Sequence, residues 1–367
     1  MRSPLNSVCM RLLTALLVTS LAGQTSSPPR SQPKPNTRVV PSTSVLPLNI
    51  SSVTRLPGES GGFMAPLKCD EEGNLYVRKY DRYRPQLGPV VRIGKDGKRD
   101  ALFDPTAFPD LGPDRADAFS PAWDGGLYWI AQKGVVKPRI YVLHFSSDGS
   151  PAEAVPLAVD FEVFTFAPFP SGNFLLSGIE RDITNAKDPG RTFTAVFLSD
   201  GRMLARLTLQ HSSAAPKGPA AAKSPIKEGV NAVPPAGTPN LDLSDAEVGR
   251  DGNLYVMQRS YSSALVFAIS ASGEIVRKVR IPDPLPGGTP TAFHVSANRF
   301  AIAFENDHPQ QHILVVADAS TGRKIATYSV ASELASSFAC YSADESVFTF
   351  LELGEGSVLQ VMRAEAR

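Results

Sequence analysis

Apolar residues in this chain come in short runs of four to eight, each closed by a small polar turn, and none extends at helical spacing far enough to suggest a long helix. Runs such as "VVRI" (90–93), "IYVLHF" (140–145), "FTAVFL" (193–198), "ALVFAI" (264–269) and "HILVVA" (312–317) each lead into a Gly-containing turn. Those turns are "KDGK" (Gly97), "SDGS" (Gly149), "SDGR" (Gly201), "ASGE" (Gly273) and "STGR" (Gly322), and most lead into a second run. Two β-favouring runs joined by a turn whose Gly takes positive φ predict tight antiparallel hairpins. A second phrase, polar turn then apolar strand, precedes each hairpin. It reads "DEEGNLYV" (70–77), "DGGLYWIA" (124–131), "SGNFLLSG" (171–178) and "DGNLYVMQ" (251–258), with fainter copies "ANRFAIAF" (297–304) and "DESVFTFL" (344–351).

Self-similarity at a fixed period indicates a repeat architecture. The anchors Gly73, Gly125, Gly172, Gly252, Asn298 and Glu345 are spaced by 52, 47, 80, 46 and 47 residues. The hairpin glycines follow their anchors by 24, 24, 29, 21 and 24 residues, so two markers stay in phase. With an inner strand before each phrase, every unit reads as four antiparallel strands, and six units predict an all-β, six-bladed β-propeller. The sixth hairpin Gly would fall near 369, beyond Arg367, so the last blade lacks its outer strand. "LPLNISSVTRLPG" (46–58) is a strand without a blade, and it is expected to complete blade six and close the ring, which removes two exposed edges.

Composition refines this picture. Thirty-two Pro and 28 Gly fit a turn-rich β protein, and a formal net charge of +1 argues against nucleic acid or an anionic membrane surface as partner. Arg2 and Arg11 precede an apolar run, Leu12–Leu21, too short to span a bilayer, with small residues at Ser20 and Ala22. That pattern predicts a signal peptide over 1–22 and export to a periplasmic or extracellular location, with no membrane span in the mature chain. Residues 23–46 are Pro/Ser-rich and predict a disordered lead-in; the propeller takes 47–367. The long spacing between the third and fourth anchors holds "HSSAAPKGPAAAKSPIKEGVNAVPPAGTP" (211–239), a flexible insertion by composition.

The phrase resembles the NHL-type six-bladed propellers, in which D-x-x-G-N-[IL]-Y-V marks the second strand of each blade, and more distantly the gluconolactonase/regucalcin-like propellers. The likeness covers about 47–367 and is clearest in units one and four. It implies a fold more firmly than an activity, because propellers host enzymes and binding modules alike. In the gluconolactonase-like group, a Glu on the first inner strand and Asn and Asp residues on later ones hold a divalent ion. Here the inner strands carry Phe63, Phe119, Phe166, Phe293 and Phe338 at such places, read as packing, and Glu59 is the one first-strand acid.

Candidate chemistry falls in the loops after the "GNLYV" strands, the face on which propellers usually bind ligands. There the polar residues are Arg78, Tyr80, Gln132, Glu180, Asp182, Gln258, Arg259, Glu305, Asp307 and Glu352. Asp242, Asp245 and Glu247 make one inner strand acidic and are the candidates for a divalent cation such as Ca²⁺, against an expectation of no cofactor. His308 and His312 flank a Pro-containing loop, and no Ser-His-Asp set or CxxC pair stands out. Cys69 and Cys340 lie near the ends of inner strands in units one and six, neighbours in a closed ring, where a disulfide would staple the closure. Their offsets from the anchors, four and five residues, leave open whether they face one another. The expected function is an exported, monomeric binding module for an extracytoplasmic protein, peptide or glycan; the alternative is a metal-dependent hydrolase or lactonase.

Overall fold

In a computed structural model, the described residues are 45–60, 62–134, 138–159, 161–180, 185, 188, 190–209, 243–260, 263–285, 287–307, 310–331, 334 and 337–366. The expected signal peptide (1–22), the expected lead-in up to residue 44 and the expected insertion over 211–239 lie outside them. Among the described residues twenty-four strands follow one another, beginning with β1 (Val45–Ser60). Four four-stranded sheets come next: β2–β5 (Phe63–Cys69, Leu75–Lys79, Val90–Ile93, Arg99–Phe103), β6–β9 (Arg115–Pro121, Leu127–Lys133, Arg139–Phe145, Pro151–Leu157), β10–β13 (Phe161–Pro168, Phe174–Glu180, Arg191–Phe197, Met203–Arg206) and β14–β17 (Leu243–Val248, Leu254–Ser260, Ser263–Ile269, Ile275–Pro282). The remaining strands are β18–β21 (Thr289–Ser296, Arg299–Asp307, Gln310–Asp318, Lys324–Ser329) and β22–β24 (Phe338–Ser342, Val347–Leu353, Val358–Ala366). With β1 they make an eight-stranded sheet of order β18-β19-β20-β21-β1-β24-β23-β22. Sequential strands pair antiparallel within every sheet, and the fold is an all-β propeller.

The first strand does what its lack of a hairpin partner predicts. Leu48–Arg55 runs antiparallel to β24, from Leu48 opposite Ala366 to Arg55 opposite Gln360. Its leading residues Val45–Pro47 go further and pair parallel with Thr327–Ser329 of β21. Two strand edges are thereby covered at once.

The repeated phrase works through one shared bond pattern. In its first copy Asp70 accepts from the Asn74 amide (2.9 Å) and side chain (2.8 Å), while Gly73 at φ +80° closes the turn. The Tyr76 hydroxyl donates to the Gly125 carbonyl of the next sheet (3.1 Å) and lies 3.3 Å from Asp70. In the fourth copy the acid stands beside the Gly rather than three residues ahead, yet Asp251 still accepts from Asn253 (2.8 Å) and Tyr255 (2.8 Å). Burial and this carboxylate together push the Tyr255 hydroxyl up to about 12. In the two faint copies the positive-φ residue is Ala297 or Ser346, not the anchors Asn298 and Glu345, so the turns there are shifted by one.

Alternation along "LYV" fills both faces of a sheet. Leu75 and Val77 pack with Leu351, Leu359 and Val361 of the last strands, whereas Tyr76 packs with Phe119, Leu127 and Trp129 of the next sheet. Similar clusters join each sheet to the following one, and one lies between β18–β21 and β22–β24. The recurrent inner-strand phenylalanines belong to these clusters: Phe119 meets Trp129 edge-on (centroids 6.0 Å apart), and Phe293 meets Phe300 at 5.4 Å.

Candidate functional site

Each inner strand ends at the polar turn that opens the next strand, and the residue opposite the "LY" tyrosine has an equivalent in every copy. In the third and sixth copies these positions are Ala167 (opposite Leu175) and Tyr341 (Phe348); in the other four they are Lys68 (Tyr76), Ser120 (Tyr128), Glu247 (Tyr255) and His294 (Ala301). In the structure all four line a single cavity of about 210 Å³, together with the turn residues of the first two sheets. Lys68, Ser120 and His294 are 3%, 5% and 4% exposed, so the wall is polar but shielded from bulk water. Toward solvent the cavity is edged by Asp70, Glu71, Glu72 and Trp123, the last with half its surface exposed.

The contacts in the cavity are specific. Glu247 Oε2 accepts a hydrogen bond from the Val295 amide (2.6 Å) and lies 3.0 Å from His294 Nδ1, tying β14 to β18. Arg250, in the turn after β14, reaches to Glu71 of the first sheet (3.1 Å) and to Asp344 in the turn after β22 (3.1 Å). One cation thus links three separate turns on this side of the molecule. Cys69 forms part of the wall and is disulfide-bonded to Cys340, with Cα atoms 6.0 Å apart and a sequence separation of 271. Register shifts between Met64 and Lys68 and between Phe338 and Cys340 add an irregularity to both strands, so a simple offset from the anchors is a poor guide to which way each cysteine faces.

The residues expected at the other end of the strands are placed differently. Arg78, Gln132, Glu180, Gln258 and Glu305 pair with the opening residues of their inner strands, for example Glu180 with Phe161 and Glu305 with Thr289, far from the polar turns. They do not converge on a cavity of comparable size among the described residues. Arg78 is buried and donates to the carbonyls of Ala116 (2.7 Å), Gln86 (2.9 Å) and Asp117 (3.3 Å), with its guanidinium 5.5 Å from the Trp129 ring centre. Burial lowers its proton affinity, and three carbonyls plus an aromatic face make it a clamp between two sheets. Gln132 donates to Asp117 (2.8 Å), a carboxyl raised by burial that also receives Arg115. Glu180 pairs with Arg206 (3.3 Å), Arg259 donates to the Thr291 carbonyl (3.3 Å), and Glu305 accepts from Thr291 (3.3 Å) and lies 3.8 Å from His312. Tyr80 is exposed, Gln258 is buried and Glu352 is half-buried. Asp182, Asp242 and His308 lie outside the described residues; Asp245 and Asp307 are backbone members of β14 and β19. Of the three proposed metal ligands, Glu247 lies in the cavity wall. Among the described residues no three His, Cys, Asp or Glu side chains come together as a metal-binding group.

Ser120, Lys68 and His294 were missed by motif reading, since none sits in a known catalytic or ligand signature. The signal was available in the repeat: the residues opposite Tyr76, Tyr128, Tyr255 and Ala301, at one shared position of the unit, are Lys68, Ser120, Glu247 and His294, all polar or charged.

No protein-family model matches this chain, and no curated protein matches it in sequence. Solved structures with related architecture include a luciferin-regenerating enzyme (10% identity, TM-score 0.47, 86% of this chain and 95% of that one). The periplasmic gluconolactonase PpgL of Pseudomonas aeruginosa is 16% identical, with TM-score 0.43, over 88% of this chain and 97% of that one. The Pan2 WD40 domain of Neurospora crassa is 8% identical, with TM-score 0.42, over 88% and 96%. At this level of likeness they assign the chain neither a family nor an activity.

Proposed function

We propose that this protein is an exported, six-bladed propeller that acts as a binding module, and that its ligand enters the cavity walled by Lys68, Ser120, Glu247 and His294. The six-blade reading treats the eight-stranded sheet as two blades joined along β1. Its support is the apolar cluster in which Ala301 and Leu314 pack against Phe338 and Phe348, as the faces of two separate sheets do. Export over a cleaved 1–22 segment fits the disulfide, which persists in an oxidising compartment. No helix among the described residues is long and apolar enough to cross a membrane.

The observation that carries the binding role is the set of buried polar groups around one cavity. Charged groups withdrawn from water are costly unless compensated, and a propeller core needs none of them for packing. A cavity of about 210 Å³ is below the range of drug-sized pockets, so a small ligand, or one terminal unit of a peptide or glycan, is the expected occupant. The test is a screen of short peptides and oligosaccharides by isothermal titration calorimetry. Hits should lose at least tenfold in affinity with His294→Ala and be unaffected by Glu180→Gln. The opposite pattern would move the site to the far face.

The second reading, a metal-dependent hydrolase or lactonase, draws on the Glu247–His294 pair, whose side chains are ordinary metal ligands. Elemental analysis of the purified chain, with melting curves before and after a chelator, separates the two: a stoichiometric metal that raises the melting temperature supports the enzyme.

A further inference from the structure

We propose that the ligand cavity has a second compartment, and that Glu71 is a movable partition between the two, held shut by Arg250. This rests on the reading of the cavity as the binding site and sets the length of ligand that the site accepts. A smaller cavity of about 20 Å³ lies beside the one of about 210 Å³, and the two share three wall residues, Asp70, Glu71 and His294. The disulfide belongs to the same wall, since Cys69 lines the larger cavity and Cys340 the smaller. Most of this wall is fixed. The two cysteines are joined covalently, and Asp70 accepts from both the amide (2.9 Å) and the side chain (2.8 Å) of Asn74. His294 is buried and lies 3.0 Å from Glu247. Glu71 is held differently. Among the described residues its carboxylate meets Arg250 alone, at 3.1 Å, and the Arg250 side chain is 49% exposed. An ion pair so open to solvent contributes little to stability and weakens further as salt screens it. Letting Glu71 go breaks one of the two bonds that Arg250 makes, because the other, to Asp344 in the turn after β22 (3.1 Å), does not involve the first sheet. With Glu71 in place the smaller compartment has room for about one water. With Glu71 turned to solvent the two spaces join, and Tyr341, Ser342 and Arg363 of the smaller one become the far wall of a longer site. A ligand that fits the joined form draws the population toward it. The site therefore takes an elongated polar chain of more than one unit, by displacing Glu71, as well as the single terminal unit that the larger cavity holds.

Crystal structures of the parent, Arg250→Ala and Glu71→Ala test this without a ligand. The parent should hold Glu71 at Arg250 with the two cavities apart. In Arg250→Ala the Glu71 side chain should turn to solvent and leave one continuous cavity. Glu71→Ala should give the same continuous cavity with Arg250 still at Asp344. Glu71 remaining in the wall of Arg250→Ala overturns the latch, and separate cavities in Glu71→Ala overturn the partition. Calorimetry then reads the length selection: each two-unit hit of the peptide and oligosaccharide screen is compared with its three-unit form. The longer form should gain at least fivefold in affinity for Arg250→Ala over the parent, and the shorter form less than twofold; equal gains overturn the selection. Joined cavities in both variants with no His294-dependent binding uphold the partition and sink the binding role. Separate cavities with His294-dependent binding do the reverse.

Discussion

Replacing both Cys69 and Cys340 with Ser opens the one covalent link between the first sheet and the last. The bond closes a loop of 271 residues, and the chain-entropy argument for a loop of that length gives a stabilisation of about 5 kcal/mol. The bond also acts where non-covalent closure is already present, through β1 against β24 and the Lys95–Glu345 pair at 3.4 Å, so the folded state has no reason to open when it is lost. The whole effect should therefore appear in the unfolding equilibrium. With an unfolding entropy of about 2.1 cal/mol/K per residue, 5 kcal/mol on a domain of this size lowers the melting temperature by about 7 °C. Calorimetry of the purified oxidised protein and of the double Ser variant measures this directly, with maleimide labelling and peptide mapping to report thiols at 69 and 340. A shift below about 2 °C with the bond intact in the parent would refute the entropic account. Free thiols at both positions in the parent would refute the link.

Other perturbations probe separate parts of the account. Gly178→Ala places a methyl 1.8 Å from the Glu162 carbonyl oxygen, a backbone atom that cannot swing aside, and should cost about 3 kcal/mol in denaturant melts; a neutral result would contradict the pairing of β10 with β11. Deleting residues 45–55 bares the edges of β24 and β21, so light scattering should show oligomers that the parent lacks. Asp318 is held down to about 2 by hydrogen bonds, first from the hydroxyls of Ser320 and Thr321. A depressed carboxyl stabilises the fold above its ordinary range near 4 and ceases to do so as pH falls toward 2. The parent and Asp318→Asn should therefore differ modestly in stability at pH 6, since the group is exposed, and become equal below pH 2; a gap that widens in acid would reverse the assignment.

How much was legible in the sequence depended on whether a feature repeats. Gly97, Gly149, Gly201, Gly273 and Gly322 all take positive φ, because a tight hairpin turn demands that conformation whatever surrounds it. The leading strand was expected to complete the ring, and β1 does pair with β24, but that Val45–Pro47 would also pair with β21 was not foreseen, since nothing local marks a parallel register. The faint turns slipped by one residue because Ala297 and Ser346 tolerate the strained position without announcing it. The candidate site was harder. Loop charges such as Glu180 and Glu305 drew attention by their number, yet such charges settle into pairs with their neighbours, here Arg206 and Thr291. Lys68 and Ser120 stand among apolar neighbours in unremarkable strands, and their convergence depends on the circular arrangement of sheets, which brings residues from positions 68, 120, 247 and 294 to one place.

The central claim is that ligands bind among the polar turns at the ends of the inner strands. Soaking crystals of the protein in a cocktail of small polar fragments and locating their density tests it without knowing the natural ligand. The account predicts fragments between Trp123 and His294, in contact with Lys68 or Glu247. Fragments gathered instead at Gln132, Gln258 and Glu305, with the cavity holding only water, would contradict it.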